Sequence, residues 1–330
     1  MVIAVDAFGG DNAPQAIVQG VAAASLKNDT KFVLTGDEGV IKSILKSIPH
    51  NHETISVFHA PEKIEMDEHP AEAVREKRNS SMVAAMNLLR NKEVDAVISA
   101  GNTGAILVSA ISYVRRIQGV SRPALGTILP ADKNPVILID GGANVDVRPE
   151  CLVDFAKMGS IYAKTILGIS EPHVGLLSVG TEDTKGNKQT KDAFPLLKEA
   201  NGIVFDGNME ARSILSGDTH VVVADGFAGN VCLKSIEGTA ITLFTAIKEV
   251  LNDGLIGKLC GLILRKKLRP LKERLSLDAH GGAPLLGIDG VVVKAHGSSK
   301  AVSIEIAIAQ TEAMLKAGIV DIIKNNIQAI

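Results

Sequence analysis

Short apolar runs suited to buried strands alternate with longer helical patterns from the first residue onward. That alternation constrains the fold more than any other feature of the chain. Residues 2–5, 32–35, 55–59 and 94–99 read as strands, with helical spacing over 14–26, 39–47 and 81–90 between them. Residues 125–129 and 136–140 read as an antiparallel pair joined by the turn Ala131-Asp132-Lys133-Asn134. Beyond Pro149 the alternation resumes: a helix to about Leu167, a strand over 173–179, a helix over 192–200, and strands over 203–205, 221–224 and 291–293. Residues 231–251 and 298–317 read as long helices. Such a pattern predicts α/β architecture: three layers, α/β/α, about a largely parallel twisted sheet covered on both faces. At 330 residues, a single α/β unit with two lobes around a cleft is expected.

Ligands gather beyond the carboxyl ends of strands in such folds. The polar, glycine-rich clusters of this chain follow strands at 6–11, 99–104, 140–146, 180–187 and 225–230. A sixth stretch, 281–301, runs from a Gly-rich loop through Gly287-Ile288-Asp289-Gly290 into a strand, then Lys294, His296, Gly297, Ser298 and Ser299 before a helix opens. Backbone N–H groups and a helix start in that turn suit an anion; an ordinary capped strand-to-helix turn is the other reading. All six are expected to share one sheet edge.

Several chemistries are excluded. No G-x-G-x-x-G follows the first strand, and G-x-x-x-x-G-K-[ST], H-E-x-x-H and G-x-S-x-G are absent. With no Trp, two Tyr and a net charge of −2, the chain lacks the stacking platforms and positive field of a nucleic-acid binder. Cys151, Cys232 and Cys260 are too far apart for a metal site or disulfide framework, which fits a reducing cytosol. No metal and no cofactor is expected. The start reads as a strand and turn rather than a signal peptide. Residues 96–114 carry no Asp, Glu, Lys or Arg, but Gly101-Asn102-Thr103-Gly104 interrupts them, so they read as strand, turn and helix, not a membrane span.

What remains is a set of neutral donors with a few cations: Asn102, Thr103, Asn144, Asn187, Asn230, Ser298, Ser299, Lys185, Lys294 and His296. Groups of this kind hold phosphate or stabilise an oxyanion without bonding covalently to substrate. The competing reading makes Asn102, Asn187 and Asn230 helix caps, and Asp6, Asp140 and Asp225 braces of turns. Lys185 would then be a solvated lysine, His296 a structural histidine, and Cys232 a buried, inert thiol.

Taken in order, DAFGGD at 6–11, SAGNTGA at 99–105, RPAL at 122–125, GANVD at 142–146, GTEDTKGN at 180–187, DGFAGN at 225–230 and GAPLLGIDGVVVKAHGSS at 282–299 resemble the bacterial phosphate acyltransferase family, the PlsX type, over essentially the whole chain. Phe8, Gly141 and Ala211 stand where that family usually carries Met, Val and Gly. The resemblance implies a fold similar to isopropylmalate and isocitrate dehydrogenases and phosphotransacetylases, with dimerisation as the rule. It implies transfer of a long-chain fatty acyl group from acyl carrier protein to inorganic phosphate, giving acyl-phosphate for phospholipid synthesis.

On that reading, Lys185, Asn230 and His296 are the catalytic candidates. Asn102, Thr103, Lys294, Ser298 and Ser299 bind phosphate, and Asp6, Asp11, Asn144 and Asp225 support the loops. Arg75, Lys77 and Arg78 are candidates for a basic patch meeting the acidic carrier protein.

Residues 254–274 form an expected protruding basic amphipathic segment. Leu255, Leu259, Leu262 and Ile263 recur at helical spacing, among Lys266 and other cations. Such an element suits the interface of an anionic membrane, and a core or dimer helix with a solvated face is the alternative. The expected protein is a cytoplasmic homodimer, peripherally attached, serving a membrane glycerol-phosphate acyltransferase. Competing readings are a phosphotransacetylase-like enzyme using acyl-CoA, a metal- and NAD-dependent β-decarboxylating dehydrogenase, and a non-catalytic membrane scaffold.

Overall fold

The computed structural model describes residues 1–254, 257–258, 261–264, 266–267 and 281–327. Its strands are β1 (Val2–Asp6), β2 (Lys31–Gly36), β3 (Ile55–His59), β4 (Ala96–Ser99), β5 (Ala124–Leu129), β6 (Val136–Ile139), β7 (His173–Ser178), β8 (Val204–Glu210), β9 (Val221–Val223), β10 (Ala283–Leu286) and β11 (Val291–Lys294). They form one sheet in the order β3-β2-β1-β4-β11-β10-β5-β6-β9-β7-β8. β4 and β6 are buried at every residue, as unbroken apolar runs require when both faces are covered. The edge strand β8 leaves its first residues partly in water.

The sheet reverses direction at its centre. Strands β3, β2, β1, β4 and β11 run parallel to one another, as do β6, β9, β7 and β8. Between these halves β10 is antiparallel to both β11 and β5, and β5 is antiparallel to β6. β10 was expected to be loop. Glycines flank it on both sides, but Pro284 lies among Ala283, Leu285 and Leu286, and the turn 287–290 folds it onto β11 as a hairpin. The consequence corrects the single-edge expectation: loops after β1, β4 and β11 leave one end of the sheet, and those after β6, β7 and β9 leave the other.

Helices cover both faces. One carries α1 (Gln15–Ser25), α2 (Glu38–Leu45), α6 (Pro149–Thr165), α7 (Lys188–Glu199) and the C-terminal helices Ala301–Ala317 and Ile319–Ile327, packed on a core that includes Ile3, Phe32, Phe155 and Ile304. The other face is divided. Over the first half lie α4 (Ser81–Arg90) and α5 (Thr103–Ser109), packed around Met82, Val97 and Ile106; α3 (Pro70–Glu76) joins them. Over the second half lies the start of α8 (Gly226–Asn252), packed around Leu138, Val222 and Leu233. Helix α8 begins five residues earlier than its apolar periodicity predicts, because the Asp225 carboxylate caps it by accepting the Ala228 N–H at 2.7 Å.

Candidate functional site

The division of that second face makes a cleft, and β5 is its floor. Side chains alternate along a strand, so Leu125, Thr127 and Leu129 point the same way. Leu125 joins the core beneath α4 and α5, and Leu129 joins the core beneath α8. Thr127, between them, lines a cavity of about 500 Å³. Thr103 lines it from the start of α5, Asn230 from α8, and Lys294, His296 and Ser298 from the end of β11 and the turn beyond. Loops leaving opposite ends of the sheet therefore meet across its face.

Close backbone approach holds the second half of the site. A Cβ at Gly229 would lie 2.0 Å from the Asp140 carbonyl oxygen, so the first turn of α8 can sit on the loop after β6 only without a side chain there. The Gly226 N–H donates to the Asn144 carbonyl at 2.7 Å across the same contact. Asp140 organises this loop. Its carboxylate accepts backbone N–H groups of Leu125 (3.0 Å), Gly142 (3.1 Å), Ala143 (2.9 Å) and Asn144 (2.7 Å), and the Asn144 side-chain amide at 2.8 Å. Burial pushes its pKa up and these donors oppose the rise.

Asp6 does the same in the first half. It accepts the Ser99 hydroxyl at 2.6 Å and the Phe8 N–H at 3.2 Å, while burial again raises its pKa against hydrogen bonds from Ser81 and Ser99. Both aspartates are braces, shut away from any substrate. The Asp11 N–H donates to the Gly297 carbonyl at 2.8 Å, tying the first loop to the last.

The cations are concentrated on one wall. Burial, and next the neighbouring Lys234, pull the Lys294 pKa down to about 8, against an opposing effect of Glu237. Glu237 Oε2 accepts from Lys234 Nζ at 2.6 Å, and its Oε1 lies 3.6 Å from His296 Nε2. The His296 Nδ1 accepts the Ser298 N–H at 3.3 Å and lies 2.8 Å from the Ser298 hydroxyl. A backbone N–H can only donate, so Nδ1 carries no proton and the neutral ring holds it on Nε2, towards Glu237. Lys234 and Glu237 were missed by the sequence reading. Their signal was present: 230, 234 and 237 repeat at i, i+4 and i+7, one face of a helix that begins with a site residue.

Other expected site residues lie elsewhere. Asn102 caps α5 through the Ala105 N–H at 3.1 Å, and its amide donates to the Met66 and Glu68 carbonyls at 2.8 and 3.3 Å. It does not line the cavity. Ser299 is buried and holds the turn, its N–H donating to the His296 carbonyl at 3.0 Å. Asn144 braces the Pro123 carbonyl at 2.7 Å, and Asp225 is the α8 cap. Lys185 is exposed on the loop after β7, outside the cavity lining. Gly186 and Asn187 of that loop line a second, larger space of about 820 Å³ on the other side of α8. It is predominantly apolar, with Leu177, Phe227, Val231, Ile236 and Leu243 on its walls. Asn187 also caps α7, accepting the Thr190 N–H at 2.9 Å.

Of the expected membrane residues, Leu262 and Ile263 are 69% and 68% exposed and Lys266 is exposed, while Leu255 and Leu259 lie outside the described residues. Among the described residues no helix is long and apolar enough to cross a membrane.

Sheet, cleft and cavity define an α/β protein with a largely parallel sheet covered on both faces. The structure is similar to a phosphotransacetylase from Streptococcus pyogenes, with a TM-score of 0.64 at 15% identity, covering 96% of this chain and 94% of that one. A 4-hydroxythreonine-4-phosphate dehydrogenase from Klebsiella pneumoniae shares the fold at a TM-score of 0.55 and 13% identity, over 95% and 99% of the two chains.

Sequence comparison is more specific. A family model described as fatty acid synthesis protein matches residues 1–321. The phosphate acyltransferases of Geobacillus thermodenitrificans and Clostridium botulinum are 48% and 44% identical to the chain, each over 330 residues and 99% of both partners. The chain belongs to the phosphate acyltransferase family, a family of enzymes, and the α/β fold expected from its sequence is the one observed.

Proposed function

We propose that the protein transfers a long-chain fatty acyl group from the thioester of acyl carrier protein to inorganic phosphate. A phosphate oxygen attacks the thioester carbon, the carbon–sulfur bond breaks, and acyl-phosphate and the carrier thiol leave. The proton of the phosphate monohydrogen dianion ends on the departing sulfur, so the reaction balances without a cofactor. Phosphate is already an anionic nucleophile at neutral pH, and the protein must hold it against the thioester and stabilise the tetrahedral oxyanion.

One observation carries this reading. The desolvated Lys294 shares a cavity with donors from Thr103 and Asn230, on a floor that presents a hydroxyl, Thr127. In the proposal Lys294 and Thr103 hold phosphate, Asn230 donates to the developing oxyanion, and His296, whose Nδ1 takes the Ser298 hydroxyl proton, fixes the turn that places Ser298 at the cavity. Of the three catalytic candidates, Asn230 and His296 line the cavity, and the proposal rests on those two rather than on Lys185. The apolar space across α8 suits the fatty chain.

The wider proposal is one catalytic unit of two lobes that works in the cytoplasm as a homodimer and attaches to anionic membrane through 254–274, where it supplies a membrane glycerol-phosphate acyltransferase. Exposed Ile241, Leu243 and Val250 on α8 support a second copy, and Leu262 and Ile263 beside Lys266 support the membrane. The test of the chemistry is phosphate-dependent loss of the thioester from long-chain acyl carrier protein, with acyl-phosphate as product. Turnover confined to short acyl-CoA would support the phosphotransacetylase-like alternative.

A further inference from the structure

Helix α5 runs on into a π-helical turn, Ala110–Val114, and arginines surround that turn. Arg116, Arg122 and Arg148 line one cavity of about 600 Å³ with Ile111. Arg115 and Arg116 border an adjoining depression that shares Ile111. Arg75 and Arg78 line a third hollow against Tyr113.

Nearby carboxylates leave much of this charge free. Asp146 lines the first cavity, Glu150 stands 4.0 Å from Arg148 Nε, and Glu76 stands 3.5 Å from Arg75 Nη2. Asp154 is occupied by the Ser121 N–H at 2.9 Å. Arg116 is held by the Ser121 carbonyl, whereas Arg122 makes no hydrogen bond or ion pair among the described residues. Lys77, expected in a basic patch, is engaged by Glu68 at 2.6 Å and by the Lys63 carbonyl at 2.7 Å.

Chain connections tie this surface to the reaction cavity. Arg122 precedes Pro123, whose carbonyl is bonded to Asn144. Asn144 shares a loop with Gly141 and Gly142, which line the reaction cavity, and with Asp146 and Arg148, one of them on each side of Val147. On a chain of net charge −2, a local cluster of arginines beside the cleft attracts an acidic partner specifically. Guanidinium groups also match carboxylates and phosphate esters through paired donors.

We infer that the arginine surface around Ala110–Val114 docks the acidic face of the acyl carrier protein, with Arg122 and Arg148 as its anchors next to the cleft. The inference rests on the acyl-transfer reading above. Charge complementarity names the occupant: the substrate is an acidic protein that must present its thioester at this opening.

The test is Arg122→Glu with Arg148→Glu, assayed with long-chain acyl carrier protein and with the matching acyl-pantetheine thioester, which carries no phosphate and no protein. The expected result is a fall of about tenfold or more in kcat/KM for the protein substrate, through KM, with acyl-pantetheine turnover unchanged. Equal losses on both substrates, or no loss on either, would overturn the docking surface. A second measurement needs no variant: the wild-type KM for the carrier substrate should rise with ionic strength while that for acyl-pantetheine stays constant, and a carrier KM indifferent to salt counts against the inference. Wild-type protein that forms no acyl-phosphate from either substrate refutes the acyl-transfer reading itself, and the docking surface with it.

Discussion

Glu237 holds its Oε1 3.6 Å from Nε2 of His296, the nitrogen that carries the proton in the neutral ring. Its other oxygen is engaged by Lys234 at 2.6 Å, so one carboxylate links a helix cation to the turn that lines the cavity. A group that orients another should affect turnover more than phosphate affinity.

For Glu237→Gln the expected outcome is a kcat about tenfold lower, with a KM for phosphate unchanged or reduced, because the variant removes a negative charge from the anion's wall. Steady-state kinetics with phosphate as the varied substrate checks this. An unchanged kcat with a raised phosphate KM would remove Glu237 from the positioning role.

Lys294 gives a pH dependence of definite sign. Its folded pKa of about 8 lies below the ordinary 10.5, so between those values the unfolded chain binds more protons and stability rises with pH. Below about 8 the full cost of the buried charge is present. Lys294→Met should therefore raise stability at pH 7 by about 1–2 kcal/mol, allowing for water at the open cavity, while turnover falls by about a hundredfold or more. In the native enzyme, KM for phosphate should climb as pH passes about 8 and Lys294 loses its charge. Thermal melts and a pH series of phosphate KM test both signs.

Gly229→Ala should separate α8 from the loop after β6, since the new Cβ would fall 2.0 Å from the Asp140 carbonyl oxygen. A loss of about 1–3 kcal/mol is expected, with Asn230 displaced and activity reduced in the protein that remains folded. Denaturant titration beside an activity assay checks the pair of effects.

Leu262→Glu with Ile263→Glu should weaken binding to vesicles containing anionic lipid by about tenfold or more and leave turnover on soluble substrate intact. Co-sedimentation measures it; equal binding by the native protein and the variant would set aside membrane attachment through this segment.

How far the sequence could be read follows from which physical signals are local. Strand and helix periodicities are local, and β1, β4 and β6 emerge where their apolar runs predict. The direction of a strand is local only where a short turn joins it to its partner: β5 and β6 are antiparallel as the turn 131–134 predicts, whereas the runs of β10 and β11 do not say whether neighbours run with or against them. The expected single edge is therefore replaced by two opposed ends meeting over Thr127. Glycine-rich flanks disguised β10.

Among the expected site residues, Lys294, His296, Ser298, Thr103 and Asn230 line one cavity. At Asn102, Asn187 and Asp225 helix capping is what the side chain does, and a cap cannot be told from a ligand by residue type alone. The apolar spacing of α8 does not mark Lys234 and Glu237, which share the cavity side of the helix with Asn230.

The central claim is phosphate-dependent acyl transfer in the Thr127 cavity. Its most direct measurement is acyl-phosphate formation from long-chain acyl carrier protein and from acyl-CoA, with native protein and with Asn230→Ala. The account predicts acyl-phosphate from the carrier substrate only when phosphate is present, and a loss of about a hundredfold in the folded Asn230→Ala protein. Thioester loss independent of phosphate, or undiminished turnover in that variant, would contradict it.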